Sequence, residues 1–210
     1  MIQDPLLLFN WQLVVQAFVT LFAIFDPIGI LPFYATLMEG VKETSRNKII
    51  NTSCIVSLAI LLLFAYGGVY LFQVLNITLN DFKVFGGLIL LIFAITYVLG
   101  RDPHKYLPEH KEEIAIFPLA TPLLAGPGSI SLVMILVNPP FGPVTALLVI
   151  VLTVLLTWII LRLGVRLNKI LGKQGSAVIS RIMGLIIGAV AFSFIREGLF
   201  EIIRQFIVAG

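Results

Sequence analysis

The chain has 210 residues, of which 59% are hydrophobic and 12% charged, and its formal net charge is +3. A mean hydropathy of +1.06 excludes a soluble globular domain. Polar and apolar residues do not alternate over stretches of about 10 positions, as the strands of a membrane barrel require, so we predict an all-α integral membrane protein.

Six apolar segments follow one another along the chain, and each is long enough to cross the lipid bilayer as a helix. They cover residues 11–38, 49–75, 82–99, 114–137, 144–161 and 181–203. Lys and Arg are concentrated in the first, third and fifth connections, residues 39–48, 100–113 and 162–181. The positive-inside rule predicts that these loops are cytoplasmic and that both termini lie outside the cell membrane.

The first segment is interrupted by the sequence FDPIGILP at residues 25–32. Proline lacks a backbone N–H and clashes with the preceding helical turn, so Pro27 and Pro32, with Gly29 between them, should unwind the helix. Asp26 is a favoured N-cap and Pro27 suits the first helical position, so a second half-helix should begin there. A continuous helix over 11–38 would reach ~42 Å, which exceeds the ~30 Å hydrocarbon core and agrees with a break.

The fourth segment contains a comparable interruption, ATPLLAGPGSIS at residues 120–131. Gly126 and Pro127 repeat the helix break, while Gly128 and Ser129 add a second small residue and a hydroxyl. Residue counts from the segment ends predict that both breaks lie near the membrane midplane. Two half-helix N-termini would then direct unpaired N–H groups and positive dipole ends at one region.

The two breaks belong to an internal repeat. Pro127 aligns with Pro27, and the motifs at 68–75 and 87–89 recur at 164–171 and 184–186, all at offsets close to 100 residues. Because each half has an odd number of spans, the second half must start from the opposite side of the membrane. We predict two inverted three-helix repeats, residues 1–100 and 114–210, joined by a cytoplasmic linker at 101–113.

The chemistry of the two breaks suits a small zwitterion. Helix N-termini attract an anionic group. The buried carboxylate of Asp26 needs a partner, and a ligand ammonium would supply one. Gly126, Gly128 and Ser129 leave room only for a small ligand. The alternative is that Asp26 merely caps its half-helix and the prolines are packing kinks, although two symmetric kinks at the midplane argue against it.

Other charged residues give weaker signals. Arg196 and Glu197 follow the uncharged part of the sixth segment, where an interfacial ion pair or a snorkelling arginine is favoured over an extracellular gate. His104 and His110 lack a third ligand at a recognisable spacing, so no metal site is predicted. The basic residues flank apolar segments without an aromatic surface, so the expected environment is the lipid bilayer and not nucleic acid.

At the two breaks the sequence resembles the MarC family of six-span bacterial and archaeal membrane proteins, and the resemblance covers nearly the whole chain. It implies that family motif positions fall on Asp26, Pro27, Gly29, Pro32, Thr121, Pro122, Gly126, Pro127, Gly128 and Ser129. A branch of this family, SnatA, is described as transporting glycine and alanine with a proton or sodium gradient. Ile30 stands where many relatives have a polar Asn, so the substrate of this chain would differ if that side chain contacts ligand.

The leading hypothesis is therefore a secondary transporter of small neutral amino acids that works by alternating access. No nucleotide-binding motif is present, so the coupling ion would be H⁺ or Na⁺, and no cofactor is expected. A channel or efflux pathway for other small solutes remains the alternative. An intramembrane enzyme is disfavoured because no histidine occurs in any predicted span. The sequence leaves the oligomeric state open.

Overall fold

The computed structural model describes residues 11–38, 41–99, 111–164 and 168–209, and this part of the chain is helical without a β-strand. The α-helices are α1 Trp11–Phe25, α2 Pro27–Leu37, α3 Glu43–Leu75, α4 Leu79–Val98, α5 Pro127–Leu136, α6 Pro143–Gly164 and α7 Asn168–Ala209. A 3₁₀ turn, Lys111–Ala115, and a π-helical stretch, Ile116–Leu124, precede α5. The expected all-α architecture is confirmed for the described residues.

Four stretches of the described residues are long and apolar enough to cross a membrane: Trp11–Leu31, Glu43–Leu75, Leu79–Thr96 and Pro143–Gly164. A fifth is added if Glu113–Leu124 and Pro127–Leu136, bent by 62° at the second break, count as one span. The chain is thus of multi-pass type. The sixth predicted span, 181–203, lies within α7, which is not among these candidates, so the six-span count stays a prediction.

The helix break at Asp26 occurs where the sequence places it. Asp26 separates α1 from α2 with a left-handed backbone, φ 42°, which is uncommon for any residue but glycine and is tolerated best by Asn and Asp. Backbone hydrogen bonds continue on both sides, from Asp26 N–H to the Phe22 carbonyl (3.0 Å) and from Ile30 N–H to the Asp26 carbonyl (3.1 Å). The first break is therefore a single-residue kink.

The second break is wider than a kink. Phe117 (φ −134°, ψ 120°) and Thr121 (φ −129°, ψ 131°) are extended inside the segment that precedes α5. Each stands directly before a proline, Pro118 or Pro122, whose ring disfavours the helical conformation of the preceding residue. The fourth predicted span should be helical up to the break, and the structure instead has a π-helical stretch that is interrupted at these two residues.

Corresponding helices of the two halves pack antiparallel. Between α3 and α6, Trp158 Nε1 donates to Asn51 Oδ1 (2.8 Å) near one end and Tyr66 Oη donates to the Pro143 carbonyl (2.8 Å) near the other. Between α4 and α7, a Cβ added at Gly87 would lie 2.8 Å from the Ala191 carbonyl oxygen. This arrangement is what an inverted repeat requires, although the repeat itself stays a prediction.

Two predicted loops are shorter than expected. In the first loop, α3 begins at Glu43 and not at 49. In the fifth loop, predicted at 162–181, α6 continues to Gly164 and α7 starts at Asn168. The predicted boundaries followed charge, but Lys, Arg and Glu are good helix formers, so a helix can continue past the apolar core. Residues 100–110 of the third loop, which include both histidines, lie outside the described residues. Residues 111–113 of the same loop are helical.

Candidate functional site

The two breaks, separated by about 100 residues of sequence, line a single cavity of about 210 Å³. Asp26 and Gly29 from the first break face it together with Gly126, Gly128 and Ser129 from the second. The pairing of the breaks was expected from their sequences, and the fold brings them together. The cavity is below the ~300 Å³ lower limit typical of sites for drug-sized ligands, so it fits a small molecule.

Asp26 caps the helix that it starts. Its Oδ1 accepts a hydrogen bond from the Gly29 N–H (3.0 Å), the N3 position of α2, as an N-cap carboxylate does. A Cβ at Gly29 would collide with this carboxylate, so a larger residue there would displace the Asp26 side chain from its present position. Asp26 is exposed to the cavity, and no Lys or Arg of the described residues forms an ion pair with it. Its second oxygen remains available to a ligand.

The start of α5 differs from the start of α2 because no side chain caps it. Gly126 is the N-cap, in extended conformation (φ −87°, ψ 175°), and Pro127 follows at the first helical position. The first N–H groups of a helix have no partner within the helix, so those of Gly128 and Ser129 lie uncapped beside the cavity. This end of the site carries the positive end of a helix dipole.

Ser129 is 2% exposed, and its hydroxyl donates to the Leu124 carbonyl (3.0 Å), which lies on the other side of the break. The hydroxyl proton is therefore used to join the two parts of the broken span. The lone pairs of its oxygen stay free to accept a hydrogen bond. We interpret Ser129 as a residue that holds the break in shape and presents an acceptor, not a donor, to a ligand.

The glycines of the second break are required by close contacts. A Cβ at Gly126 would collide with the Pro122 carbonyl oxygen, and one at Gly128 would lie 3.0 Å from Ile24 Cγ2 and 3.3 Å from Phe194 Cζ. Ile24 and Phe194 also line the cavity. Larger residues would therefore deform the break at Gly126 and fill the space between α1 and α7 at Gly128.

Three predicted site residues are not in the cavity wall. Pro27 and Pro127 are buried, and Pro127 packs against Gly86 of α4, where a Cβ would meet the proline ring. The Thr121 hydroxyl donates to the Ile116 carbonyl (3.2 Å). The two prolines shape the helix starts, and Thr121 stabilises the irregular segment before the break, so their contribution to the site is indirect.

Part of the apolar wall comes from α4 and α7, which the sequence did not connect with the site. Leu90 of α4 and Ile186, Val190 and Phe194 of α7 face the cavity. The local sequence holds no polar signal at these positions. The Gly184–Gly188 spacing was the available hint, since it predicts close helix packing, and Gly188 indeed lies against Ala94 of α4.

The candidate gate at Arg196 and Glu197 does not line this cavity. Glu197 Oε2 lies 3.6 Å from Lys83 Nζ of α4, and Arg196 Nη2 donates to Ser193 Oγ (3.4 Å). These charges surround a separate surface recess with Phe200 and Glu201. Among the described residues, no group of three or more His, Cys, Asp or Glu could hold a metal ion.

Sequence comparison relates the chain to known membrane proteins. Residues 11–203 match the MarC family, described as integral membrane proteins. The chain belongs to the MarC family. Within it, the chain is 34% identical to a UPF0056 membrane protein of Methanocaldococcus jannaschii over 90% of this chain and 96% of that protein. No solved structure matches this chain.

Two further MarC relatives show the same full-length similarity. The UPF0056 membrane protein YvbG of Bacillus subtilis is 34% identical over 90% of this chain and 95% of its own. YhcE of Escherichia coli, also a UPF0056 membrane protein, is 30% identical over 91% of this chain and 94% of its own. These names describe membrane proteins without stating a substrate or a reaction.

Proposed function

We propose that this MarC-family protein is a secondary transporter of small neutral amino acids, of the glycine and alanine class. The observation that carries the proposal is the composition of the shared cavity. It has one carboxylate, on Asp26, at the first break, and one uncapped helix N-terminus, at Gly126, at the second. The site thus combines one negative group with one positive helix end.

A zwitterion is complementary to both ends. Its carboxylate accepts hydrogen bonds from the N–H groups at the start of α5, which the helix dipole favours. Its ammonium lies against the free oxygen of Asp26, with the Ser129 oxygen as a second acceptor. A ligand with a single charge would satisfy one end and leave the other unpaired in a largely apolar cavity, which is unfavourable.

The apolar walls favour a neutral side chain on the ligand. Leu90, Ile186, Val190 and Phe194 enclose the polar groups, and the cavity of about 210 Å³ has room for a small zwitterion. A hydrogen or a methyl group is compatible with these apolar walls, whereas a charged side chain would lie against them without a partner. These features support a small neutral amino acid as the substrate.

Alternating access follows from the proposed symmetry. If the halves are inverted repeats, rocking one against the other opens the site to each side in turn. Transport against a concentration gradient then requires a coupling ion, H⁺ or Na⁺. Asp26 is the one carboxylate in the described cavity wall, so it is the residue through which a coupling proton or cation would act.

Uptake by purified protein in proteoliposomes tests the proposal. We expect saturable accumulation of radiolabelled glycine or alanine above the external concentration when an inward proton or sodium gradient is imposed. Equilibration that neither saturates nor responds to a gradient would instead indicate the channel alternative. Empty liposomes and the Asp26→Asn protein are the matched controls, since Asn retains the helix cap.

A further inference from the structure

Arg162, in the last turn of α6, is held in a fixed position on the surface of the bundle. Its guanidinium carbon lies 4.3 Å from the centre of the Trp158 ring, a cation–π contact. Its Nη2 donates to Asn51 Oδ1 of α3 (3.2 Å), the same oxygen that accepts from Trp158 Nε1 (2.8 Å). Two side chains, Asn51 of α3 and Trp158 of α6, therefore orient one exposed arginine.

Within the part of the chain that the structure describes, no carboxylate pairs with this arginine. The ion pairs Lys83–Glu197 and Arg204–Glu201 do not include Arg162, whose contacts are with Asn51 and Trp158. The guanidinium carries five N–H donors, of which the Asn51 contact uses one. Its flat, oriented fork is suited to bidentate contact with a phosphate group.

An apolar groove lies on the same helix, next to this arginine. It is formed by Phe18 of α1 and by Leu152, Leu155, Leu156 and Ile159 of α6, and its volume is about 210 Å³. Leu155 and Ile159 are 51% and 39% exposed, and they precede Arg162 by two turns and one turn on the same face. The groove therefore runs along α6 away from the charged position.

We infer that Arg162 and the groove form a binding site for a phospholipid with a net negative headgroup. Its phosphate would contact Arg162, and one acyl chain would lie in the groove between Phe18 and Ile159. The separation of the two parts matches the geometry of a lipid, since ~1.5 Å of rise per residue puts Leu152 ~15 Å from Arg162 along the helix. Free phosphate would use only the first part.

Trp158 is a natural reporter for this site, because it contacts Arg162 and Trp11 is the only other tryptophan of the chain. The test uses the full-length Trp11→Phe protein in bilayers of zwitterionic phosphatidylcholine that contain a minor fraction of phosphatidylglycerol brominated in its acyl chains. Bromine quenches the fluorescence of nearby tryptophan. Each fluorescence intensity is divided by the intensity measured in unbrominated lipid.

We expect the quenching to show that brominated phosphatidylglycerol is enriched near Trp158 by about fivefold over its bulk fraction. This is the enrichment expected from the attraction of one basic residue for an anionic lipid. Arg162→Gln should reduce the quenching to the bulk level, and so should high salt, which screens exposed charges. The control Arg204→Gln removes an equal charge from a residue already paired with Glu201 and should leave the enrichment unchanged.

Three results would overturn the lipid site. The first is bulk-level quenching in the Trp11→Phe protein at low salt. The second is equal enrichment in the Arg162→Gln and parent proteins. The third is loss of the enrichment on addition of millimolar inorganic phosphate, which would show that Arg162 binds free phosphate. The salt titration needs no substitution at Arg162, so the proposal stays testable if Arg162→Gln does not fold.

Discussion

Asp26 both caps α2 through the Gly29 N–H and faces the shared cavity, and a substitution can separate these two functions. Asn caps a helix about as well as Asp and tolerates a left-handed backbone, so Asp26→Asn should keep the wild-type melting temperature. It cannot supply a negative charge to an ammonium. We therefore expect loss of amino acid binding without loss of stability, measured by thermal shift with and without ligand.

Asp26→Ala is the matching control for stability. It removes the cap, which should cost about 0.5 to 2 kcal/mol, and it places alanine at φ 42°. An Asp26→Asn protein with wild-type melting temperature and wild-type uptake over a range of pH would show that the carboxylate is structural only.

Gly128 and Ser129 should respond differently to substitution. Gly128→Val adds methyl groups between Ile24 and Phe194, inside the cavity wall, so we expect substrate binding to be abolished. Ser129→Ala removes one ligand acceptor and the bond to the Leu124 carbonyl, so binding should weaken by only about 0.5 to 1.5 kcal/mol. Binding of labelled alanine to both variants measures this. Small and equal effects would place the site elsewhere.

At the residue scale, the sequence predicted where polar groups break the spans but not what each one contacts. Asp26 was identified as an N-cap because its residue type and the following proline are a local signal. The bond between Ser129 and Leu124 could not be predicted, because it depends on the bend at Gly126. Pro127 was assigned to the site, yet it packs on Gly86, a contact between distant segments.

The α4–α7 pair is where single glycines control how closely two helices approach. A Cβ at Gly87 would lie 2.8 Å from the Ala191 carbonyl oxygen and 2.7 Å from Ile195 Cγ1. Gly87→Ala should therefore destabilise the protein by about 1 to 3 kcal/mol through overpacking, although alanine favours helix. Thermal unfolding in detergent measures the effect.

Gly67 of α3 provides the matched control, since a Cβ there would meet nothing within 4 Å. Gly67→Ala should stabilise the protein by up to about 1 kcal/mol through helix propensity alone. If both substitutions raise the melting temperature, α4 and α7 are not in close contact at Gly87.

At the element scale, helices with uninterrupted apolar sequence were predicted well and the irregular segment was not. α4 and α6 start and end within three residues of the predicted spans 82–99 and 144–161. Phe117 and Thr121 were missed as extended residues, although each precedes a proline, which is a readable signal. The apolar pattern concealed it, because hydrophobicity identifies a membrane segment without reporting its backbone conformation.

The inverted repeat concerns the whole molecule and gives a geometric prediction. Superposition of residues 11–99 on 114–203 in an experimental structure should require a rotation of about 180° around an axis in the membrane plane. The antiparallel contacts of α3 with α6 and of α4 with α7 support this expectation. A superposition without reversal of direction would contradict it.

For the whole molecule, the repeat in the sequence predicted that the two breaks belong together, and the shared cavity agrees with that pairing. The apolar wall was not predictable, because Leu90 and Phe194 resemble every other apolar residue of a membrane helix until the packing is known. The length of α7 was also missed, since helix continues past the apolar segment into charged sequence.

The central claim is that one cavity recognises both charges of a small zwitterion, and a binding measurement on the purified protein tests it most directly. Alanine is compared by thermal shift with propionate, which lacks the ammonium, and with ethylamine, which lacks the carboxylate. Binding raises the apparent stability in proportion to RT ln(1 + [L]/Kd). We predict that alanine alone raises the melting temperature, and that Asp26→Asn abolishes this rise. Equal stabilisation by alanine and either analogue, or an unchanged response in Asp26→Asn, would contradict the account.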